Sequence, residues 1–177
     1  MESKTRKNYV IVMGYTFPVE DCEIIQVKDE IEVIEKFFDL VEKHDPDVFI
    51  GYNIFGFDYD YMDARLKDVG KDWRNIGRLK EIGCSMKCLS WNSDAYGYNK
   101  LNIFDAPGRI SVDLLPYIKR DYKLPMYNLN AVGKHFLGET KVDLKAHEMF
   151  QIHQEMMNMV EYIQKTTGIE DEKEAFT

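Results

Sequence analysis

The 177-residue sequence has no apolar run long enough to cross a bilayer, and Met1 leads into polar residues rather than into the apolar core of a signal peptide. It has only three cysteines, Cys22, Cys84 and Cys88, without the spacing of a disulfide framework. No histidine or further cysteine stands at a spacing that would complete a zinc site around Cys84 and Cys88. We therefore expect free thiols in a reducing, intracellular compartment, and no membrane partner.

Basic residues are also in deficit. The chain has 23 Lys and Arg against 31 Asp and Glu, for a formal net charge of −8. Binding of nucleic acid through bulk electrostatics needs clustered basic residues, so the charge argues against this class of protein. A carboxylate site that meets phosphate through divalent metal ions remains compatible, because bound cations reverse the local potential. Five basic residues could line a DNA-facing edge, although a solvated surface is the commoner location for such residues: Arg109, Lys119, Arg120, Lys123 and Lys134.

Strand and helix patterns alternate along the chain, which predicts the α/β class. The length suits a single domain over 1–177, with polar tails at 1–7 and 167–177 that we expect to be loose. Short apolar runs predict strands at 9–13, 23–27, 48–50 and 109–112, and the segment 80–107 reads as a hairpin or an irregular insertion.

Helices are predicted from the capping residues and the helical spacing of apolar residues. The first begins at Asp29, which forms a capping box with Glu32, and ends before Pro46. A second has Tyr59, Met62, Leu66 and Val69 on one face and Gly70 at its end; the next two begin at Asp113 and Asn128, and the latter ends at Gly138. For Asp113 we favour capping of its helix over catalysis.

The most informative segment lies between a predicted strand and a predicted helix. The run 48–50 is wholly apolar, which is consistent with a buried strand, and Gly51 ends it. Asp58 then stands at the start of the helix, where a fixed backbone can present a carboxylate to a hard cation at little ordering cost. The alternative is that the Asp58 side chain caps the helix, and the spacing alone favours capping.

Tyr52-Asn53, followed by Phe57-Asp58, resembles the second exonuclease motif of family B DNA polymerases, of the delta-like or large-DNA-virus type. Further segments resemble the family in the same order, at 45–47, 108–115, 120–124 and 127–143. Together they cover about residues 23–150, so the match is far more specific than one short motif.

The resemblance implies a ribonuclease-H-like α/β exonuclease fold, in which four acidic residues hold two Mg²⁺ or Mn²⁺ ions around the single-stranded 3′ end of DNA. By resemblance, Asp58 is a metal-ligating catalytic carboxylate and Asn53 positions the strand end. Phe57 stacks on a terminal base, and Tyr52 and Tyr162 complete the substrate-binding residues. Two alternatives stay open: Phe57 packs in the core, and Asn53 is a turn residue.

The sequence departs from the family pattern at the first exonuclease motif, an Asp-x-Glu at the end of a central strand. The one candidate, Asp21-Cys22-Glu23, follows no apolar strand and lies too close to Asp58, so a polar turn is the better interpretation. We therefore expect the first strand to be missing and the fold to be partial.

The third motif departs as well. Tyr162 resembles the start of the family's Tyr-x-x-x-Asp, but Thr166 stands where the aspartate belongs, and Asp171 is too far along to share the same helix face. Only Asp58 is thus matched among the four acidic ligands. One carboxylate cannot neutralise two adjacent divalent ions, so we expect very low activity from the chain alone, and its status as an enzyme stays open.

The interpretation that we favour is a fragment of a family B DNA-directed DNA polymerase covering the 3′ to 5′ proofreading exonuclease domain. Its partners would be single-stranded 3′ ends of DNA and the remainder of the polymerase chain, in the nucleus or a viral replication compartment. A degenerate, non-catalytic scaffold or single-stranded-DNA-binding module of the same fold is the alternative. A stand-alone nuclease is disfavoured by the polymerase-like segments between 109 and 143.

Overall fold

Strands and helices alternate in the computed structural model, which describes residues 6–14, 16–93, 97–140 and 144–168. The protein is therefore mixed α/β, as the sequence predicts. The tails at 1–5 and 169–177 lie outside the described residues. In chain order the elements are β1 (Asn8–Met13), β2 (Cys22–Val27), α1 (Glu30–His44), β3 (Val48–Gly51), a π-helical turn (Ile54–Asp58), α2 (Tyr59–Asp68), β4 (Ser85–Ser93), β5 (Gly97–Asp105), β6 (Ile110–Asp113), α3 (Leu114–Asp121), α4 (Leu129–Leu137) and α5 (Ala146–Thr167).

The chain divides into two compact units, and each is described by itself. The first comprises Met1–Val33 and Glu139–Thr177, and the second comprises Ile34–Gly138. In the first unit β1 and β2 pair in parallel, with Asn8 opposite Cys22 and Met13 opposite Val27. The described residues contain no helix with the length and apolar character of a membrane span. The expected single domain stays a prediction.

Two strand pairs form the sheet structure described in the second unit. β3 and β6 run parallel in a register that places Gly51 opposite Asp113, so the two strands end side by side. β4 and β5 form an antiparallel hairpin over Ser85–Ser93 and Gly97–Asp105, which settles the choice left open for 80–107. The parallel pair brings together two chain segments that are far apart in sequence.

Aromatic side chains dominate the core of the second unit. Phe38 and Phe104 are fully buried, and the Trp73 ring stacks on Phe104 with centroids 4.1 Å apart. Tyr59, at the start of α2, packs against the same Phe104 ring at 5.8 Å. Such contacts contribute hydrophobic burial together with a preferred ring geometry, so this core fixes where α2 begins.

The capping predictions at Asp29, Asn128 and Gly138 are confirmed. The Asp29 carboxylate accepts the Glu32 N–H at 2.9 Å, and the Glu32 carboxylate accepts the N–H of Lys28, one residue before the N-cap, at 2.8 Å, so the start of α1 is capping-box-like as expected. Asn128 caps α4 by accepting the Ala131 N–H at 2.8 Å. Gly138 ends α4 in the left-handed region, at φ 71°.

Two packing predictions are wrong. Val69 lies beyond the end of α2 and is exposed rather than part of its buried face. The 48–50 run is not buried either, since Val48 and Ile50 are 43% and 64% exposed. Side chains alternate between the two faces of a strand, and these two lie on a solvent-exposed face of the β3–β6 pair, next to the equally exposed Ile110. The wholly apolar sequence of 48–50 therefore does not mean that both faces of this strand are buried.

Candidate functional site

The chain turns sharply where β3 ends. Asn53 adopts φ 64° and ψ 24°, a left-handed conformation that asparagine tolerates better than most residues. The turn interpretation of Asn53 is thus confirmed, which leaves its role in positioning DNA as a prediction. Gly56 follows in the π-helical turn, where a Cβ would lie 2.5 Å from the Asn53 Oδ1 atom. A side chain at 56 would therefore displace the Asn53 amide group, while the left-handed backbone at 53 favours asparagine.

A buried carboxylate holds this loop in place. Asp113, at the end of β6, is 2% exposed and accepts three backbone N–H groups. Its Oδ1 accepts from Asn53 at 2.7 Å and from Leu115 at 3.0 Å, and its Oδ2 accepts from Phe55 at 3.0 Å. The bond to Leu115 is the predicted cap of α3. The other two bonds were not foreseen, and they fix the backbone that carries Asp58 because hydrogen bonds to a charged acceptor are stronger than neutral ones.

Asp58 lies at the end of the π-helical turn with its side chain in solvent. It occupies the N-cap position of α2 but makes no side-chain capping bond, so the capping alternative is wrong. Among the residues that the structure describes, the Asp58 carboxylate has no hydrogen-bond or ion-pair partner. A solvent-facing carboxylate on a fixed backbone is available to bind a cation, and its role as a metal ligand stays a prediction.

Phe57 and Tyr61 form an exposed aromatic pair beside Asp58. Their ring centroids are 6.2 Å apart with planes inclined by 11°, the i, i+4 spacing of one helix face. Phe57 is 63% exposed, which excludes the alternative that it packs in the core. Flat apolar rings in solvent suit stacking with a base, and that role of Phe57 remains a prediction.

Tyr52 ties the same loop to the segment that precedes α4. Its hydroxyl donates to the Tyr127 carbonyl at 2.5 Å, and the Tyr127 hydroxyl in turn donates to the Tyr122 carbonyl at 2.8 Å. Burial raises the pKa of Tyr52, and the nearby Asp113 carboxylate adds to the shift. The Tyr52 hydroxyl therefore has an internal structural partner, while its predicted contact with substrate is untested.

Tyr162 lies on α5, in the first unit, and its side chain is exposed. Thr166, where the sequence resemblance predicts the third-motif aspartate, donates its hydroxyl to the Tyr162 carbonyl at 2.7 Å. Asp171 lies outside the described residues. Asp21 occupies a turn at φ 54° just before β2, as the polar-turn interpretation predicts.

The described residues do not supply a two-ion centre. They contain no group of three or more His, Cys, Asp or Glu side chains arranged to hold a metal ion. Asp58 is the one predicted ligand that the structure places, and the family's other acidic ligands have no counterpart beside it within the described residues. The residues present thus do not fit the metal pair that the resemblance implies.

Comparison with known proteins agrees with the geometry of the loop. A family model described as "DNA polymerase family B, exonuclease domain" matches residues 2–132. The chain is 36% identical over 145 residues to the DNA polymerase delta catalytic subunit of Candida albicans, covering 81% of this chain and 14% of that protein. It is 34% identical over 152 residues to DNA polymerase 120R of Invertebrate iridescent virus 3, covering 84% of this chain and 13% of that protein.

A third relative, the DNA polymerase delta catalytic subunit of Caenorhabditis elegans, is 37% identical over 135 residues, which are 76% of this chain and 12% of that protein. The chain therefore corresponds to a small part of each relative. Since the family model spans more than half of the chain, the chain belongs to the exonuclease domain family of the family B DNA polymerases.

Proposed function

We propose that the loop 53–58 binds the frayed, single-stranded 3′ end of DNA as part of the 3′ to 5′ proofreading exonuclease of a larger polymerase. One observation carries the proposal: the exposed Asp58 carboxylate, which has no partner among the described residues, stands on an anchored backbone beside the exposed Phe57–Tyr61 stack. Asn53 opens the same loop. We also propose that the complete exonuclease domain, of which this chain is a part, has a ribonuclease-H-like fold.

Stacking is the contact that the loop offers most directly. Every base has a flat π-face, so an exposed aromatic ring binds single strands with little dependence on sequence. A proofreading site requires this tolerance, because any of the four bases can be misincorporated. The Phe57 ring is available for such a contact, since it packs on Tyr61 and leaves most of its surface in solvent.

Cleavage requires more than this chain supplies among its described residues. Mg²⁺ or Mn²⁺ would be the ions of the complete site, with Asp58 as one ligand. A single carboxylate cannot hold two divalent ions whose separation is about 4 Å, because their mutual repulsion is left uncompensated. We therefore propose that the chain binds a strand end but does not cleave it alone. The remainder of the polymerase is its proposed partner, in the nucleus or a viral replication compartment.

The binding proposal is tested by fluorescence anisotropy with a 5′-labelled single-stranded oligonucleotide. Phe57→Ala should weaken binding by about 1–3 kcal/mol, which is roughly a 5- to 150-fold rise in Kd. Phe150→Ala is the matched control, because it removes an equally exposed phenylalanine from α5. Equal affinities for the two variants would contradict the proposed role of the loop.

A digestion assay with Mn²⁺ tests the second half of the proposal. Neither the natural chain nor Asp58→Ala should shorten a labelled single strand from its 3′ end. Cleavage that disappears in Asp58→Ala would show that the chain completes a catalytic site with carboxylates outside the described residues. Our expectation of an inactive chain would then be wrong, and its assignment as an exonuclease would be strengthened.

A non-catalytic scaffold or single-stranded-DNA-binding module is the second candidate. It is favoured by Thr166, whose hydroxyl bonds the backbone of α5 where the family has an aspartate. The adjoining coding sequence separates the candidates. An Asp-x-Glu after an apolar strand upstream of this segment supports the nuclease, and a parent protein without one supports the scaffold.

A further inference from the structure

A small cleft in the second unit lies next to the loop that carries Asp58. It has a volume of about 180 Å³ and extends between the β4–β5 hairpin and the start of α3. Its lining includes the amide residue Asn53, the indole of Trp91 on β4, and two lysines, Lys100 on β5 and Lys119 on α3. Two residues of the loop, Asn53 and Gly56, thus take part in the lining, and the other lining residues belong to the hairpin, to the end of β6 and to α3.

The two lysines give the cleft a positive character. Within the part of the chain that the structure describes, neither Lys100 nor Lys119 has a carboxylate partner. The carboxylate in the cleft lining, Asp113, is already engaged by three N–H groups. Hydrogen bonds from these N–H donors partly offset the negative charge of the Asp113 carboxylate. The positive charges of the two ammonium groups are not offset by a carboxylate among the described residues.

The size of the cleft restricts what it can accept. Pockets that enclose a whole small molecule have volumes of about 300–1,000 Å³. A cleft of about 180 Å³ is below that range, so it suits one unit of a longer ligand. Ammonium groups bind phosphate as compact point charges. A sugar-phosphate unit of a strand therefore fits both the size and the charge of the cleft.

We propose that Lys100 and Lys119 form a phosphodiester subsite that binds the backbone of the single strand held at the loop 53–58. This inference rests on the proposed function and extends it to residues outside the motif. It also answers an electrostatic difficulty, since a chain of net charge −8 repels DNA at long range and needs local positive charge where the strand lies.

The salt dependence of DNA binding tests the subsite. Each phosphate contact with single-stranded DNA contributes about −0.7 to the slope of log K against log salt concentration. The double variant Lys100→Gln with Lys119→Gln should therefore bind with a slope about 1.4 smaller in magnitude. The control pairs Lys7→Gln with Lys28→Gln, which changes the net charge equally at exposed lysines of the first unit and should leave the slope unchanged.

A phosphate probe without bases separates the subsite from the proposed function. Inorganic pyrophosphate should shift the ¹H–¹⁵N resonances of Asn53 and Leu115 in the natural chain and leave them unmoved in the Lys100→Gln, Lys119→Gln variant. Both lysines are exposed, so the unfolding midpoint of the variant should match that of the control.

The outcomes are distinct. If the natural chain binds DNA and the cleft variant has the same slope as the control, the subsite is overturned and the proposed function stands. If pyrophosphate binds in the cleft while DNA does not bind, the anion subsite stands and the proposed function fails. Absence of both signals overturns both.

Discussion

The loop 53–58 is held by residues far along the chain, whereas Lys165 and Thr166 near the end of α5 bond to neighbours in sequence. The Asp113 carboxylate that binds the Asn53 N–H is 60 residues away. In α5, Thr166 bonds the carbonyl four residues earlier, and Lys165 pairs with Glu161 at the same spacing. Both segments resemble exonuclease motifs of the family in sequence, but the bonds from Asp113 to the loop are tertiary, whereas those of Lys165 and Thr166 in α5 are local.

This difference in hydrogen bonding indicates that the loop 53–58 has a fixed geometry before any ligand binds. A carboxylate with several N–H donors positions a loop before any ligand arrives, because the donors would otherwise be buried without partners. Bonds between residues four apart on a helix stabilise the helix and do not orient a side chain toward a site. Substitutions should therefore have large effects on the anchors of the second unit and small ones on the end of α5.

The largest effect is expected for Asp113→Ala. It leaves the N–H groups of Asn53, Phe55 and Leu115 without their acceptor, which should lower the free energy of unfolding by about 3–5 kcal/mol. Urea denaturation measures the loss. Amide exchange at Asn53 and Phe55 should also accelerate, because their protection depends on this acceptor.

Two further variants at aspartates sharpen the result. Asp113→Asn keeps an acceptor for two of the donors but turns an amide group toward the third, so its loss should be intermediate, at about 1–3 kcal/mol. Asp121→Ala removes an exposed aspartate that pairs with its neighbour Arg120, and it should change stability by less than about 0.5 kcal/mol. A loss at Asp121 equal to that at Asp113 would contradict the anchoring role.

The next largest effect is expected for Arg109→Leu. The Arg109 side chain is 4% exposed and donates to the carbonyls of Ile76 at 2.7 Å and Pro46 at 2.6 Å. Its loss leaves these two carbonyls without their donor and should lower the free energy of unfolding, measured by urea denaturation, by about 2–4 kcal/mol. Arg78→Leu is the comparison, because Arg78 pairs mainly with exposed carboxylates and should cost clearly less. Equal losses would mean that burial of the guanidinium does not matter.

A smaller effect concerns the pH dependence of the Arg74 cluster. Hydrogen bonding from Arg74 lowers the pKa of Asp39. Burial raises the pKa of Glu35, but hydrogen bonds from Lys71 and Arg74 outweigh it, so this pKa is also below its ordinary value. Carboxyl groups with depressed folded-state pKa values stabilise the protein above their unfolded pKa, and that stability is lost as the pH falls through the folded pKa.

The Arg74→Gln variant should therefore have a lower free energy of unfolding than the natural chain at pH 7. The part of this difference that comes from ion pairing should disappear as the pH falls from about 5 to about 2. The partial exposure of both carboxylates keeps this part below about 1 kcal/mol. Urea midpoints across that pH range measure it. Lys28→Gln, which removes an ammonium group without a carboxylate partner among the described residues, should show no such trend.

The smallest effect is expected at the end of α5. Thr166→Ala removes only the hydroxyl bond to the Tyr162 carbonyl, and alanine is the better helix former. Stability should change by less than about 0.5 kcal/mol, in either direction. A loss comparable to that of Asp113→Ala would show that the α5 motif is anchored as firmly as the loop, and the comparison would fail.

Local features of the fold could be predicted from sequence because their causes are local. The caps at Asp29 and at Asn128 each depend on residues within one helical turn, and the glycine at 138 ends α4 by its own backbone freedom. The family could be recognised from the sequence for a similar reason, since the residues from Tyr52 to Asp58 are contiguous.

The anchoring of the site could not be predicted. The bonds from Asp113 to the loop depend on the parallel register of β3 and β6, which no local pattern specifies. The burial of the 48–50 run was predicted wrongly because apolar content does not show how many elements cover a strand. The sequence singled out Lys119, as one of five basic residues that could line a DNA-facing edge, but not Lys100, because the hairpin and α3 bring the two lysines to one cleft and no sequence spacing does.

The exposed face formed by Val48, Ile50 and Ile110 has a consequence for handling the protein in solution. Contiguous apolar side chains on a strand pair favour association between copies, which lowers colloidal stability as the concentration rises. Sedimentation velocity should show oligomers that dissociate on dilution. The oligomeric fraction should be smaller in the Ile50→Lys variant. Binding titrations are therefore best made at low protein concentration, where we expect the chain to be monomeric.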